Sequence, residues 1–192
     1  VAHELYIDQN KRLLIISKSR ERNTSMLSEI VKSCEIMGLK FEINNSNTLR
    51  LEGLQGKDNS VSAVTIGTVS FRGRHPDIII CDDIITIEDA GEAIRNRVQL
   101  IYDELTKLTS EIVIIGQPAH FNDLYAKLRP ILKNKLEVPW GSIPELDIDL
   151  DAQRDAGVSE ISIQASYFLK IANLGNQPFE KIKFIDAYPQ VA

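Results

Sequence analysis

Short runs of uninterrupted apolar residues alternate along this chain with longer amphipathic stretches. Leu13-Leu-Ile-Ile16, Ile78-Ile-Ile-Cys81 and Ile112-Val-Ile-Ile115 are apolar at every position, the pattern of strands buried on both faces. Between them lie helical spacings. Met26, Leu27, Ile30, Val31 and Cys34 share one side of a helix predicted over Ser25–Met37, with polar Ser17–Thr24 before it to cap it and Gly38 to stop it. Ile94, Val98, Ile101, Leu105 and Leu108 form the apolar side of a longer helix over Glu88–Leu108. Val1, Leu5 and Tyr6 mark residues 1–10 as the tail of a helix, and a further helix is predicted near Asn122–Leu132. Two alternating stretches, Leu39–Ile43 and Thr48–Glu52, flank Asn44-Asn-Ser-Asn47 and predict a β-hairpin. Val61–Val69 is another β-rich run, Ser70–Pro76 a loop. The expected fold is α/β, a mostly parallel sheet with helices on both faces and an inserted β-hairpin. Beyond Trp140 the pattern weakens into an acidic stretch, a helix around Glu160–Asn173 and a Pro-containing tail. We therefore divide the chain into a core at residues 1–140 and an acidic connector with a small lid or linker at 141–192.

Composition narrows the class. With 192 residues, 43% of them hydrophobic and 26% charged, the chain is neither a disordered tail, a collagen-like fibre nor a disulfide-stapled miniprotein. The net charge of −5 is local: residues 141–160 hold six acids against Arg154 alone, whereas residues 11–50 hold eight basic residues against four Glu. Global sign thus says little about partners. Cys34 and Cys81 lie far apart with no Cys-x-x-Cys spacing, which argues against structural zinc and fits a reducing compartment. The apolar runs fall far short of the ~20 residues that cross a bilayer, so no membrane partner is expected. His3, His75 and His120 are scattered and read as surface or capping residues.

The candidate chemistry centres on Asp77-Ile-Ile-Ile-Cys-Asp82-Asp83. An apolar strand ending in two carboxylates delivers them to the crevice where parallel sheets bind ligands. In P-loop NTPases this is the Walker B element: the first acid holds magnesium and the second polarises the attacking water. The same two acids also serve as a helix cap or a turn. About thirty residues later, Ile112–Ile115 ends in Gly116-Gln117-Pro118. On a neighbouring strand, Gln117 would stand beside Asp82 and Asp83 to sense a γ-phosphate; the other reading is a plain strand-to-helix turn. Lys18, Arg20 and Arg22 read as a solvated face, Tyr125 and Trp140 as packing residues.

Three ordered segments carry a resemblance: Leu13-Leu-Ile-Ile-Ser-Lys-Ser-Arg-Glu-Arg22, Gly67-Thr-Val-Ser-Phe-Arg-Gly-Arg-His-Pro-Asp-Ile-Ile-Ile-Cys-Asp-Asp83 and Ile115-Gly-Gln-Pro-Ala-His-Phe-Asn-Asp-Leu-Tyr125. Over about residues 1–135 the chain resembles the ATPase domain of phage terminase large subunits, above all the DNA-packaging maturases of short-tailed phages. The resemblance implies a P-loop ATPase that uses ATP and Mg2+ to drive double-stranded DNA into procapsids. It would work as a homo-oligomeric ring with a portal protein and a small terminase subunit, in the cytoplasm of the infected bacterium. It makes Asp82 the magnesium-holding acid and Asp83 the catalytic carboxylate. Gly116-Gln117-Pro118 becomes the coupling motif, with Gln where the family usually has Thr. Arg72 and Arg74 fall where terminases place an arginine that acts in trans on a neighbour's nucleotide; a surface or DNA-phosphate role is the other reading. No Gly-x-x-x-x-Gly-Lys-Ser/Thr occurs in the sequence. The resemblance therefore implies that the sequence starts just downstream of that loop, with a central strand and the nuclease domain outside it, and that this chain alone binds ATP poorly. Two other readings stand beside it: an inactive prophage remnant or interaction module with the same fold, and a helicase-like P-loop ATPase.

Overall fold

Every residue of the first apolar run is buried, because its strand lies inside the sheet with helices on both faces. The computed structural model describes residues 1–54, 56, 58–67, 74–86, 91–119 and 122–170. Six strands, β1 (Leu13–Ser17), β2 (Phe41–Asn45), β3 (Thr48–Leu51), β4 (Val61–Thr65), β5 (Ile78–Asp82) and β6 (Ile112–Ile115), form one sheet in the order β2-β3-β4-β1-β5-β6. β1 runs parallel to β4 and β5, and β5 runs parallel to β6. The hairpin β2-β3 joins the sheet antiparallel to β4. The sheet is thus mostly parallel with an antiparallel insert, as the alternation of apolar runs and helical stretches predicts.

The period of two along each strand divides the core. Leu13 and Ile15, with Val61, Ala63 and Ile78, face Leu27, Ile30, Val31 and Cys34 of α2 (Arg20–Ile36) and Leu5 of α1 (Ala2–Ile7). Leu14 and Ile16, with Ile79 and Cys81, face Val98 and Leu105 of α3 (Glu92–Leu105) and Leu124 and Leu128 of α4 (Leu124–Leu128). Desolvation on this second face pushes the Cys81 thiol up to about 12, so it behaves as an apolar filler. The layers stop short at β6: Val113 and Ile115, on the α2 side, are 44% and 51% exposed.

Several boundaries differ from expectation for local reasons. α2 starts at Arg20 rather than Ser25, because the Ser19 side chain accepts a hydrogen bond from Arg22 N–H and caps the helix there. Gly38 ends it at φ +81°, as expected. β4 is shorter than Val61–Val69 because the chain turns at Ile66 and Gly67; Val69 lies outside the described residues. So does the predicted helix start at Glu88, and the described helix is capped by Gly91. α4 ends at Leu128, two residues before Pro130, whose missing N–H cannot continue a helix. The acidic stretch contains a helix the periodicity did not reveal, α5 (Leu150–Asp155), capped by the Asp149 carboxylate on Asp151 and Ala152 N–H. Asp151 in its first turn and Arg154 in its last complement the helix dipole. The last described helix, α6 (Glu160–Ser166), precedes Tyr167, whose carbonyl accepts from Trp140 N–H; Leu169 O accepts from Arg129. Trp140 packs on Phe168, ring centroids 5.8 Å apart.

Candidate functional site

The sheet topology points to one place. α2 leaves β1 on one face of the sheet and α3 leaves β5 on the other, so the chain departs in opposite directions from two adjacent parallel strands. Such a divergence opens a crevice at the strands' carboxyl ends. Ser17 and Asp82 are paired across it in register.

Asp82 is almost buried, with 7% of its side chain accessible. A buried carboxylate needs a partner, and Arg22 in the first turn of α2 supplies it: Nε donates to Oδ2 at 2.8 Å. The same guanidinium reaches to 4.0 Å from Asp83 Oδ2. Behind it, the buried Ser17 hydroxyl lies 2.9 Å from Ser19 O and 2.8 Å from Asn23 Oδ1, donating to one at a time. These contacts fix the start of α2 against the end of β1, and with it the root of Arg22. Across the crevice, the Lys18 ammonium donates to Thr86 Oγ1.

Asp83 takes a left-handed conformation, φ 45°, which Asp tolerates better than most residues. That turn ends β5 and half-exposes the carboxylate while the Asp83 N–H still donates to Ile115 O at 3.0 Å. Burial first, then the neighbouring Asp82 charge, hold the Asp83 carboxyl above the usual aspartate range; Arg22 opposes the shift. A carboxyl displaced toward neutrality suits a general base better than an ordinary surface aspartate.

Gly116 follows β6 at the same edge. A Cβ on it would overlap Tyr125 Oη and Cζ, so only glycine admits the phenol this close. Tyr125 Oη accepts from Ile84 N–H at 3.1 Å and donates to Ile115 O at 3.3 Å, tying the ends of β5 and β6 together. Burial raises the phenol far above its ordinary value, which keeps it a donor. Buried Asp123 accepts from Ala119 N–H at 2.7 Å and Ala126 N–H at 2.8 Å, securing the Gly116-Gln117-Pro118 loop to the start of α4. Pro118 is buried and Gln117 half-buried. Gln117 lies two residues beyond Ile115, the partner of Asp82 across the β5-β6 pair; among the described residues no hydrogen bond joins it to either carboxylate.

Arg74 stands apart. It precedes β5 beside Arg12, His75 and Pro76, at the amino edge of the sheet, a strand's length (roughly 15 Å) from Asp82. Arg72 lies outside the described residues. The pairing of Arg22 with Asp82 was not legible in the sequence, where Arg22 reads as part of a solvated face. Nor were the ties made by Tyr125 and Asp123.

Asp82 and Asp83 are hard oxygen donors and fit Mg2+, which takes one or two carboxylates and fills its remaining positions with water or phosphate oxygens. Among the described residues no third carboxylate, His or Cys joins them in a metal-binding group, so phosphate and water would have to complete the shell.

No protein-family model matches the sequence, and no curated protein matches it. Among solved structures, the chain is similar to the large terminase ATPase domain of Thermus phage P74-26, at 14% identity and a TM-score of 0.53, over 89% of this chain and 80% of that one. The likeness shows the fold: a six-stranded, mostly parallel sheet with helices, of the kind found in a terminase ATPase domain.

Proposed function

We propose that this chain is part of the ATPase of a terminase-type DNA-packaging motor, hydrolysing ATP with Mg2+ to move double-stranded DNA. The observation that carries the reading is the position of Asp82 and Asp83. They lie at the carboxyl end of an interior strand, on a fold similar to a terminase ATPase domain. Asp82, nearly buried and presenting its carboxylate to the crevice, is the residue to hold the metal. When bound, Mg2+ supplies charge neutralisation at the phosphates. Asp83, half-exposed with its affinity for protons raised, is placed to orient and deprotonate the attacking water. The Gly116-Gln117-Pro118 loop, secured by Tyr125 and Asp123 to both β5 and α4, is a path by which a change at the carboxylates reaches α4. Arg74, at the edge of the sheet opposite Asp82 and Asp83, suits action on a neighbouring subunit or on DNA phosphates; we assign Arg72 the same pair of roles. The portal, the small subunit and a ring of copies are the partners this reading requires.

The test is nucleotide binding and phosphate release by the longest polypeptide that contains this chain, with Asp83→Asn as the probe. Asparagine tolerates the left-handed turn, so the fold is kept. The expected result is loss of phosphate release with retained binding of a fluorescent ATP analogue. Turnover equal to the parent's removes Asp83 from the chemistry. Failure of the parent to bind Mg2+-nucleotide removes the ATPase reading altogether.

A further inference from the structure

We propose that Arg22 is a positioning residue that competes with the divalent cation for Asp82: its guanidinium holds the buried carboxylate until metal arrives, and is then released toward the phosphates. The inference rests on the reading of Asp82 as the metal-holding acid.

Three observations and one chemical argument carry it. Arg22 Nε lies 2.8 Å from Asp82 Oδ2, and its Nη2 lies 4.0 Å from Asp83 Oδ2, so one guanidinium bridges two adjacent carboxylates. Among the described residues no other cation makes a salt bridge to Asp82. A divalent ion taking Oδ2 would compete with the guanidinium for that oxygen and would be repelled by it at contact distance. Finally, Arg22 is anchored and yet free to swing. Its backbone N–H is held by the Ser19 cap, and Ser17 and Asn23 fix that turn, whereas its side chain is 55% exposed. A long side chain on a fixed root can exchange partners without moving the helix. Displaced from Asp82, the guanidinium remains at the mouth of the crevice, where phosphate oxygens would carry negative charge. Arginine suits such a hand-over because its planar donors serve carboxylate and phosphate equally well.

The arrangement also serves the metal-free protein. Without Arg22, Asp82 would be a nearly buried carboxylate with no cationic partner among the described residues, a costly state. Arg22 thus gives the Asp82 carboxylate a cationic partner and holds Oδ2 in place until a metal takes over that role.

The experiment is Mn2+ titration of the protein without nucleotide. It is followed by paramagnetic broadening of the Asp83 and Ile84 amide signals and by the Mn2+ electron-spin signal, for the parent chain, Arg22→Gln, Arg22→Lys and Asp82→Asn. The expected result is Mn2+ binding about five- to tenfold tighter in Arg22→Gln, the size of one partly screened ion pair. Arg22→Lys should stay close to the parent, because an ammonium still competes. Thermal stabilisation by Mn2+ should likewise be larger for Arg22→Gln than for the parent, a difference a purely structural role would not produce. Unchanged or weaker Mn2+ binding in Arg22→Gln, with binding still abolished by Asp82→Asn, overturns the competition and leaves the metal reading standing. Binding that is indifferent to Asp82→Asn, or absent from all four proteins, overturns the metal reading and this inference with it.

Discussion

Two aspartates six residues apart, Asp77 and Asp83, lie at the two ends of β5 and are shifted in opposite senses. At the amino end, Asp77 accepts from Arg12 Nε at 3.1 Å and Nη2 at 3.0 Å, and from Arg12 N–H at 2.8 Å. The guanidinium holds its carboxyl below the ordinary value of 3.8. Its contribution to stability is therefore present above pH 3.8 and lost as pH falls through the folded value. Asp77→Asn should flatten the acid side of a stability-versus-pH curve, and an unchanged slope below pH 4 would count against this pairing. Asp83 behaves in reverse. Its carboxyl lies above 3.8 in the fold, so stability declines as pH rises through that shifted value and the charge is forced on. Asp83→Asn is expected to melt higher than the parent at pH 7 and level with it at pH 3; a lower melting temperature at pH 7 would show that Asp83 is a structural cap after all. Gly116 is the third residue with a sharp expectation. Alanine there must displace the Tyr125 phenol from Ile84 and Ile115, which should cost about 1–3 kcal/mol in urea unfolding. Most of that cost should vanish in the background of Tyr125→Leu.

At the level of elements, the strands were legible and the termini of helices less so. β1 and β5 follow directly from runs of four apolar residues, because a strand covered on both faces admits little else; β6 carries the same kind of run although Val113 and Ile115 are exposed on one side. The start of α2 was misplaced by five residues because Arg20, Glu21, Arg22 and Asn23 are polar. Apolar periodicity is blind to a first turn that lies in front of the sheet edge rather than on it, and the cap Ser19 marks the true boundary. α5 escaped for a similar reason: one buried residue, Leu150, is too little to make a period, and its stability comes from the Asp149 cap. Candidate-site legibility divides the same way. Asp82 and Asp83 are readable as carboxylates ending a buried strand. Arg22 is not, since its partner lies sixty residues away and is chosen by the pairing of β1 with β5. These elements differ in what a substitution should do. Ser19→Ala removes the α2 cap and should cost about 1 kcal/mol. Ile79→Ala, fully buried in β5, should cost about 2–5 kcal/mol. Val113→Ser on the bare side of β6 should stay within about 0.5 kcal/mol of the parent. Thermal unfolding of the three variants measures the order, and a Val113 penalty comparable to that of Ile79 would mean that side of β6 is covered in solution.

Taken as a whole, the molecule is two half-cores that share a sheet, with a satellite held by hydrogen bonds and an aromatic contact. β1 belongs to both halves, Leu13 and Ile15 to the α1-α2 side and Leu14 and Ile16 to the α3-α4 side. Loosening β1 therefore releases both layers together, which is the condition for cooperative unfolding. The segment following Trp140 is joined differently. Its described ties to the sheet-bearing part include the Trp140–Tyr167 and Arg129–Leu169 backbone acceptances and the Trp140–Phe168 ring contact. Its own helices are six and seven residues long, too short to persist alone. Local opening of α5 and α6 should then cost much less than global unfolding. Native-state hydrogen exchange in rising urea measures the difference. Amides of Ile15 and Ile79 should exchange with the full urea dependence of global unfolding, whereas Ala156 and Tyr167, whose N–H groups close the ends of α5 and α6, should exchange sooner and with little urea dependence. If all four merge onto one isotherm, the acidic segment is an integral part of the cooperative unit. If instead Ala156 and Tyr167 exchange separately, the segment is a satellite whose opening leaves the strand that presents Asp82 and Asp83 undisturbed.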